Sequence, residues 1–202
     1  MSSIVEQLAK KDLITPPKYV TSQIQYETIV GSISYGVADT TNKDHISDWD
    51  ICGFCIPYKD MIFPHLRGEI VGFGIQTKRF DQYQQHHIYD KTIDRKYDIS
   101  IYNIIKYFQL VMENNPNMID SLFTPQRCVL LCSQIGNLVR ENRKLFLHRG
   151  SWFKFKSYSY SQMHKAKDKT IVNLANFLND HNISQNPTLD QVEEEMKRRN
   201  LL

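Results

Sequence analysis

The stretches GSISYG at residues 31–36 and SDWDICGF at residues 47–54 decide how this chain is interpreted. An apolar and β-branched run, IQYETIV at residues 24–30, precedes the first stretch and predicts a strand that ends at the glycine. The second stretch predicts another strand, on which Asp48 and Asp50 are two residues apart. On an extended chain, side chains at this spacing leave the same face. The pattern therefore predicts two carboxylates held side by side after a glycine-containing turn.

These residue types are typical of a site for metal ions and phosphate. Gly31 allows the backbone to approach a ligand closely, and Ser32 offers a hydroxyl and an amide to phosphate oxygens. Neighbouring carboxylates repel each other unless cations lie between them, and magnesium prefers carboxylate oxygens combined with substrate phosphates. A pair of such ions can activate an attacking hydroxyl and stabilise the leaving oxygen of an in-line displacement. We therefore expect Asp48 and Asp50 to bind Mg²⁺ or Mn²⁺, as two ions.

The rest of the chain predicts strands early and helices late. The pattern indicates a weak strand near residues 70–75 and a polar connection over residues 81–96, followed by a third strand at residues 97–101. Apolar residues at helical spacing and a capping box at Thr188 then predict helices. The predicted helices cover residues 104–114, 117–123, 126–147, 168–179 and 188–202.

The two opening stretches resemble the DNA polymerase β-like nucleotidyltransferase superfamily. More narrowly, they resemble predicted nucleotidyltransferases of bacteria and phages that carry a GS-x-x-YG…SD-x-D-x-x-G-[FV] signature. The resemblance continues through YDISIYNIIKYFQLVMENNPNMIDSLF at residues 97–123 and, more weakly, to residues 155–163. It implies an α+β fold in which a small mixed sheet is flanked by helices. We expect a nucleotidyltransferase catalytic domain over residues 1–125 and a helical region over residues 126–202.

The resemblance also implies roles for individual residues. Gly31 and Ser32 match the residues that hold the nucleoside triphosphate, with ATP as an expected donor. Asp48 and Asp50 match the two carboxylates that bind both metal ions. The implied reaction is attack of an acceptor hydroxyl on the α-phosphorus of the nucleoside triphosphate, which releases pyrophosphate.

A third carboxylate of the family comes from a later strand and helps to orient the attacking hydroxyl. Asp98 is the best match, with Asp94 and Asp81 as alternatives. The chain departs from the family pattern in two places. Many relatives carry a basic residue where this chain has Ile33, so a phosphate contact is expected to be missing or supplied elsewhere. Relatives also often continue into helices beyond the position of Leu202, which leaves two interpretations open: a short member of the family, or a truncated chain whose acceptor-binding part is incomplete.

A basic segment follows the predicted catalytic domain. Residues 140–169 carry nine Lys or Arg and two acidic residues, whereas the net charge of the whole chain is only +3. Within this segment, residues 148–169 interleave basic groups, which neutralise phosphates, with aromatic rings, which stack on bases. A helical core face with its lysines in solvent remains an equal alternative. The residues expected to contact the acceptor or the base are Arg149, Lys154, Lys156 and Tyr160.

Two further features suggest metal sites, and each has a simpler interpretation. The spacing of the four cysteines would allow a zinc-stabilised domain, but buried, reduced thiols are the better interpretation. These cysteines are Cys52, Cys55, Cys128 and Cys132. The neighbouring His86 and His87 are expected to be a surface pair, because adjacent residues face apart on any regular element.

The sequence favours one acceptor and one cellular location but leaves alternatives for the acceptor. The basic segment favours an RNA end, while a protein side chain, as in AMPylating transferases of the antitoxin type, stays open. A catalytically silent module that binds nucleotide or RNA is a third hypothesis, which the paired carboxylates argue against. No apolar run is long enough to span a bilayer, and charges stand where a signal peptide needs an apolar core. We therefore expect a cytoplasmic protein without a membrane partner.

Overall fold

A computed structural model describes most of the 202-residue chain. The described residues are 3–38, 47–70, 72–75, 79–180 and 188–199. The chain divides into two compact units, Met1–Ser151 and Trp152–Leu202. The functional boundary expected at residue 125 stays a prediction. In the described ranges, no helix combines the length and the apolar character needed to cross a membrane.

The first unit is built around a five-stranded sheet with the order β3-β4-β2-β1-β5. The strands are β1 (Ile24–Val30), β2 (Trp49–Cys55), β3 (Gln82–Asp90), β4 (Arg95–Asn103) and β5 (Val129–Cys132). The helices are α1 (Ile4–Lys10), α2 (Lys18–Ser22), α3 (Ser32–Tyr35), α4 (Lys59–Ile62), α5 (Ile104–Met112), α6 (Pro116–Phe123), α7 (Gln134–Glu141) and the first residues of α8 (Gly150–Asp180). Strands β2 and β4 run parallel, and the other neighbouring strands are antiparallel. The expected α+β fold with a small mixed sheet flanked by helices is confirmed.

Helices cover both faces of the sheet. On one face, Val5 and Leu8 of α1 pack in a buried cluster with Ile51 of β2 and Ile99 of β4. On the other face, the ring of Phe54 lies 4.8 Å from that of Tyr107 in α5. Because successive side chains of a strand point to opposite faces, this alternation holds the central strands rigidly between two apolar layers. The site described below lies where β2 begins, beside the neighbouring part of β4.

Side-chain caps explain where several helices begin. The Ser3 hydroxyl accepts a hydrogen bond from the Glu6 backbone N–H at 3.2 Å and begins α1. The Asn103 side chain does the same for Lys106 at 2.6 Å, so the chain turns directly from β4 into α5. Each cap satisfies an N–H group that the helix itself leaves without a partner.

Three sequence-based expectations about the first unit are wrong. The polar connection over residues 81–96 contains the edge strand β3, in which only two residues are buried, so its sequence lacks the alternation of a half-buried strand. The helix expected over residues 126–147 is interrupted by β5, because a short apolar run such as VLLC fits either element. Near residues 70–75, the described positions form no strand.

The second unit contains the rest of α8 and α9 (Leu189–Arg198). The capping box predicted for Thr188 and Gln191 is present and begins α9. Helix α8 begins at Gly150, much earlier than the expected position near residue 168. Large side chains of α8 are exposed to solvent, namely Trp152, Phe153, Tyr160 and Met163.

Candidate active site

Gly31 ends β1 in a conformation that favours glycine. Its φ of 72° and ψ of −148° belong to a region that is essentially closed to other residues. The β1–β2 register pairs Val30 with Asp50, which brings the Asp50 side chain to the turn. A Cβ atom on Gly31 would stand 2.5 Å from Asp50 Oδ2. The glycine therefore makes room for a carboxylate of its own chain, and Ser32 follows it as the first residue of α3.

The three predicted carboxylates come together where β2 begins, beside the middle of the parallel strand β4. Asp50 pairs directly with Asp98 across these strands, so both side chains leave the same face. Asp48 precedes β2 by one residue, and one of its carboxylate oxygens lies within 4.8 Å of an Asp98 oxygen. Their roles in metal binding and catalysis stay predictions.

The two alternatives for the third carboxylate lie elsewhere. Asp94 is in the turn between β3 and β4, where its Oδ1 accepts a 2.6 Å hydrogen bond from the Tyr89 hydroxyl. Asp81 precedes β3, and its carbonyl oxygen accepts from the backbone N–H of Asn103 at the far end of β4. Of the three candidates, Asp98 is the one paired with Asp50.

The Asp50 carboxyl group lies in an environment that disfavours its charge. Partial burial raises its pKa above the usual value, and the negative charges of Asp98 and Asp48 raise it further. In the described part of the chain, no group donates a hydrogen bond to it. A half-buried carboxylate that faces two others and has no donor is suited to a bound cation, since a cation would remove both penalties.

Asp98 has the opposite environment. Burial alone would raise its pKa, but hydrogen bonds and the nearby histidines outweigh burial and lower the pKa overall. Its Oδ1 accepts a hydrogen bond from the backbone N–H of His87 at 2.7 Å. Its Oδ2 lies 3.0 Å from His86 Nδ1. These contacts hold Asp98 in its ionised form and fix its orientation.

A β-bulge brings both histidines to Asp98. Gln85 pairs with Ile99 and Ile88 pairs with Tyr97, so the two residues between them on β3 lie opposite the single residue Asp98. His87 adopts a positive φ of 56° at this point. Both histidines are exposed, as expected for a surface pair, but they do not face apart, because the bulge breaks the regular alternation. Sequence reasoning missed their place in the site because no glycine marks the bulge.

A set of possible metal ligands results from this geometry. One ligand atom from each of Asp48, His87 and Asp98 lies within 4.8 Å of the others. Asp50, whose carboxylate lies against Gly31, is outside this triplet.

The cysteines form no comparable set among the described residues. All four are free thiols, three of them buried. Burial raises the pKa of Cys52 and that of Cys55 to about 12, so both stay protonated at neutral pH. Because zinc binds the thiolate form, the thiols of β2 act as core side chains.

The basic segment has members of two kinds. Arg140 donates to the Tyr26 hydroxyl at 2.7 Å and to the Thr124 carbonyl oxygen at 3.0 Å, which makes it part of the fold. The residues expected to contact an acceptor are all exposed, namely Arg149, Lys154, Lys156 and Tyr160. Their exposure leaves them accessible to a ligand, and their role stays a prediction.

A positive charge also lies near the glycine-containing turn. Arg127 donates a hydrogen bond from Nη2 to the Ser34 carbonyl oxygen at 3.1 Å, although it is distant in sequence. The family's basic residue after the Gly-Ser pair is replaced here by Ile33. Arg127 therefore supplies a positive charge beside α3 in place of the missing basic residue. The sequence alone did not indicate this role.

Comparison with known proteins gives one match. A model of the RNA repair pathway DNA polymerase beta family (RlaP) matches residues 5–178. The matched residues include all five strands of the sheet and the three carboxylates of the site. No curated protein and no solved structure matches the chain significantly.

Proposed function

We propose a specific reaction for this chain, which belongs to the RNA repair pathway DNA polymerase beta family and is a polymerase β-like nucleotidyltransferase family member. The chain transfers a nucleoside monophosphate from a nucleoside triphosphate to the hydroxyl of an RNA end. The pairing of Asp50 with Asp98 beside Gly31 carries this proposal, because it concentrates negative charge where a triphosphate and its cations would bind.

In this reaction the acceptor oxygen forms a bond to the α-phosphorus. The bond from the α-phosphorus to the oxygen shared with the β-phosphate breaks, and pyrophosphate leaves with the electrons of that bond. Asp98 accepts a hydrogen bond from the acceptor hydroxyl and orients it, and the hydroxyl proton passes to water. Contacts with His86 and His87 keep Asp98 ionised for this task.

The donor set of the site fits divalent cations. Asp48, Asp50 and Asp98 would hold Mg²⁺ or Mn²⁺, and we propose two ions. Bound ions neutralise the charge that develops on the phosphates during displacement. Gly31 and Ser32 at the start of α3 are proposed to hold the triphosphate, with Arg127 as an additional source of positive charge.

The exposed residues of α8 support RNA as the acceptor. Lys154 and Lys156 are exposed and can neutralise backbone phosphates. The ring of Tyr160 is 66% exposed and that of Trp152 is 70% exposed, so both are accessible for base stacking.

A transfer assay tests the proposal. Each ribonucleoside triphosphate, labelled at the α-phosphate, is offered with Mg²⁺ or Mn²⁺ to total RNA and to cell protein. We expect label on RNA with the wild type and a loss of at least about a hundredfold in Asp50→Asn, the scale of removing one electrostatic contact at an active site. Asp94→Asn is the matched control, since it removes an acidic charge outside the carboxylate group, and it should react like the wild type.

The other outcomes separate the alternatives. Label on protein alone would indicate that the acceptor is a protein and not RNA, as in an AMPylating transferase. Metal-dependent binding of nucleotide without any transfer would indicate a silent binding module. Equal transfer by the wild type and Asp50→Asn would exclude the proposed site.

A further inference from the structure

We propose that His87 is a metal ligand of the site, so that the site binds Mn²⁺ in preference to Mg²⁺. This inference rests on the proposed function for the presence of a divalent ion between the carboxylates. It goes further because it adds a nitrogen donor to a site that the sequence indicates as carboxylate only.

The ligand geometry is the first support. An imidazole nitrogen of His87 lies within 4.8 Å of a carboxylate oxygen of Asp48 and of one of Asp98, and those two oxygens lie within the same distance of each other. Ligands about 2.0–2.2 Å from a common ion lie roughly 3–4.4 Å apart, so a small inward movement of the side chains would bring all three into contact with one ion.

The partners of the two histidines distinguish between them. His86 uses both ring nitrogens within the protein, since Nδ1 lies 3.0 Å from Asp98 Oδ2 and Nε2 lies 2.7 Å from Gln84 Nε2. Over the described residues, no hydrogen bond is made to the ring of His87, whose backbone N–H binds Asp98. His86 therefore orients Asp98, whereas the His87 ring keeps its nitrogen available for an ion.

The backbone supports the same assignment. The bulge gives His87 a positive φ of 56°, a conformation in which histidine, asparagine and aspartate occur more often than other non-glycine residues. Bulges next to active sites re-aim a side chain that regular pairing would send elsewhere. Here the bulge places a second residue of β3 opposite Asp98, which a regular strand could not do.

The chemistry of the donor gives the preference. Magnesium binds oxygen ligands almost exclusively and retains its waters, whereas first-row transition-metal ions accept imidazole nitrogen. Replacing one oxygen ligand by nitrogen therefore favours Mn²⁺ over Mg²⁺ at this position. Asn at position 87 would tolerate the positive φ and offers no imidazole nitrogen, which makes His87→Asn the informative variant.

The test uses electron paramagnetic resonance of Mn²⁺ bound to the full chain without nucleotide. We expect the wild type to show coupling between the manganese spin and a nitrogen nucleus. His87→Asn should lose this coupling and bind Mn²⁺ about tenfold more weakly or worse, since even indirect contacts to a metal carry effects of that size. Its affinity for Mg²⁺, measured by displacement of Mn²⁺, should change much less.

Two controls make the result interpretable. His86→Asn should retain the nitrogen coupling, and thermal melting should show that both variants are folded. Mn²⁺ that binds the wild type without nitrogen coupling, or not at all, would overturn the ligand assignment, as would coupling lost in His86→Asn and kept in His87→Asn. Nitrogen-coupled Mn²⁺ together with no nucleotidyl transfer would support the assignment and refute the proposed reaction instead.

Discussion

Gly31 and Asp50 lie so close that a Cβ atom on the glycine would stand 2.5 Å from Asp50 Oδ2. The β1–β2 register produces this contact, because it pairs Val30, the last residue before the glycine, with Asp50. The turn that is expected to hold a triphosphate and the carboxylate that is expected to hold a cation are thus one packed unit. A substitution at either residue should therefore displace the other.

We predict that Gly31→Ala loses both stability and transfer activity. The methyl group would displace the Asp50 carboxylate, and the strained backbone alone should cost about 1–3 kcal/mol of unfolding free energy. Urea unfolding and the transfer assay measure the two effects.

Gly68→Ala is the matched control, because Gly68 also has a positive φ, 78°, but a Cβ atom added there would meet no other atom within 4 Å. It should lose roughly 1 kcal/mol of stability and keep its activity. Equal losses of activity in the two variants would mean that the contact with Asp50 is irrelevant.

Glu27 should make stability depend on pH. It is buried beneath α1, accepts a hydrogen bond from the Val5 backbone N–H at 3.2 Å, and has no partner for its second oxygen among the described residues. Burial raises its pKa from 4.5 to about 7. The folded state therefore binds more protons than the unfolded state between these values. The resulting stabilisation is fully present below pH 4.5 and is lost as the pH rises through about 7.

We expect this loss to be about 3 kcal/mol in the unfolding free energy of the wild type. In Glu27→Gln that part of the pH dependence should disappear, because the side chain no longer titrates. Urea unfolding of both proteins at about pH 5 and about pH 8 gives the difference. Parallel pH profiles for the two proteins would show that Glu27 does not titrate as proposed.

Arg140 should act on stability although it belongs to the basic segment. Its guanidinium binds Tyr26 and Thr124, which joins α7 to β1 and to the end of α6. Arg140→Met should lower the unfolding free energy by about 2–3 kcal/mol, the range for hydrogen bonds to charged groups. Arg149→Met, at an exposed position, should change it by less than about 0.5 kcal/mol. Similar losses of unfolding free energy in the two variants would show that the hydrogen bonds of Arg140 do not stabilise the fold.

The lysines of α8 should act on RNA binding and leave stability unchanged. In the double variant Lys154→Ala, Lys156→Ala, the dependence of log affinity on log salt concentration should weaken by about 0.7 per lost phosphate contact. Fluorescence anisotropy with single-stranded RNA at several salt concentrations measures this slope. Lys18→Ala, Lys59→Ala removes two exposed lysines from outside the segment and should leave the slope as in the wild type. An unchanged slope in the α8 variant would show that Lys154 and Lys156 do not contact RNA phosphates.

Local features of the fold were predictable from short stretches of sequence. The strand at residues 24–30 and the helix cap at Thr188 agree with the structure, because each depends on neighbours a few residues away. The family and the fold class were also predictable, since Gly31-Ser32 and the Asp48/Asp50 pair form a specific pattern that the family match bears out.

Longer-range features were predictable only as alternatives or not at all. Asp98, Asp94 and Asp81 were all candidates for the third carboxylate, and the parallel register of β2 and β4 places Asp98 opposite Asp50. Strand β3 carries few apolar residues because it forms the edge of the sheet, so its periodicity is weak.

The sequence by itself determined the chemistry that the site can offer, through Gly31 and the Asp48/Asp50 pair, because backbone geometry relates residues one or two positions apart. Only the tertiary structure decided which distant groups join them. The pairing of β2 with β4 places Asp98 beside Asp50, and the bulge in β3 adds His86 and His87. Strand register is set by the packing of whole faces against the core, and a bulge shifts that register by one residue, so neither can be derived from the local pattern of the residues involved.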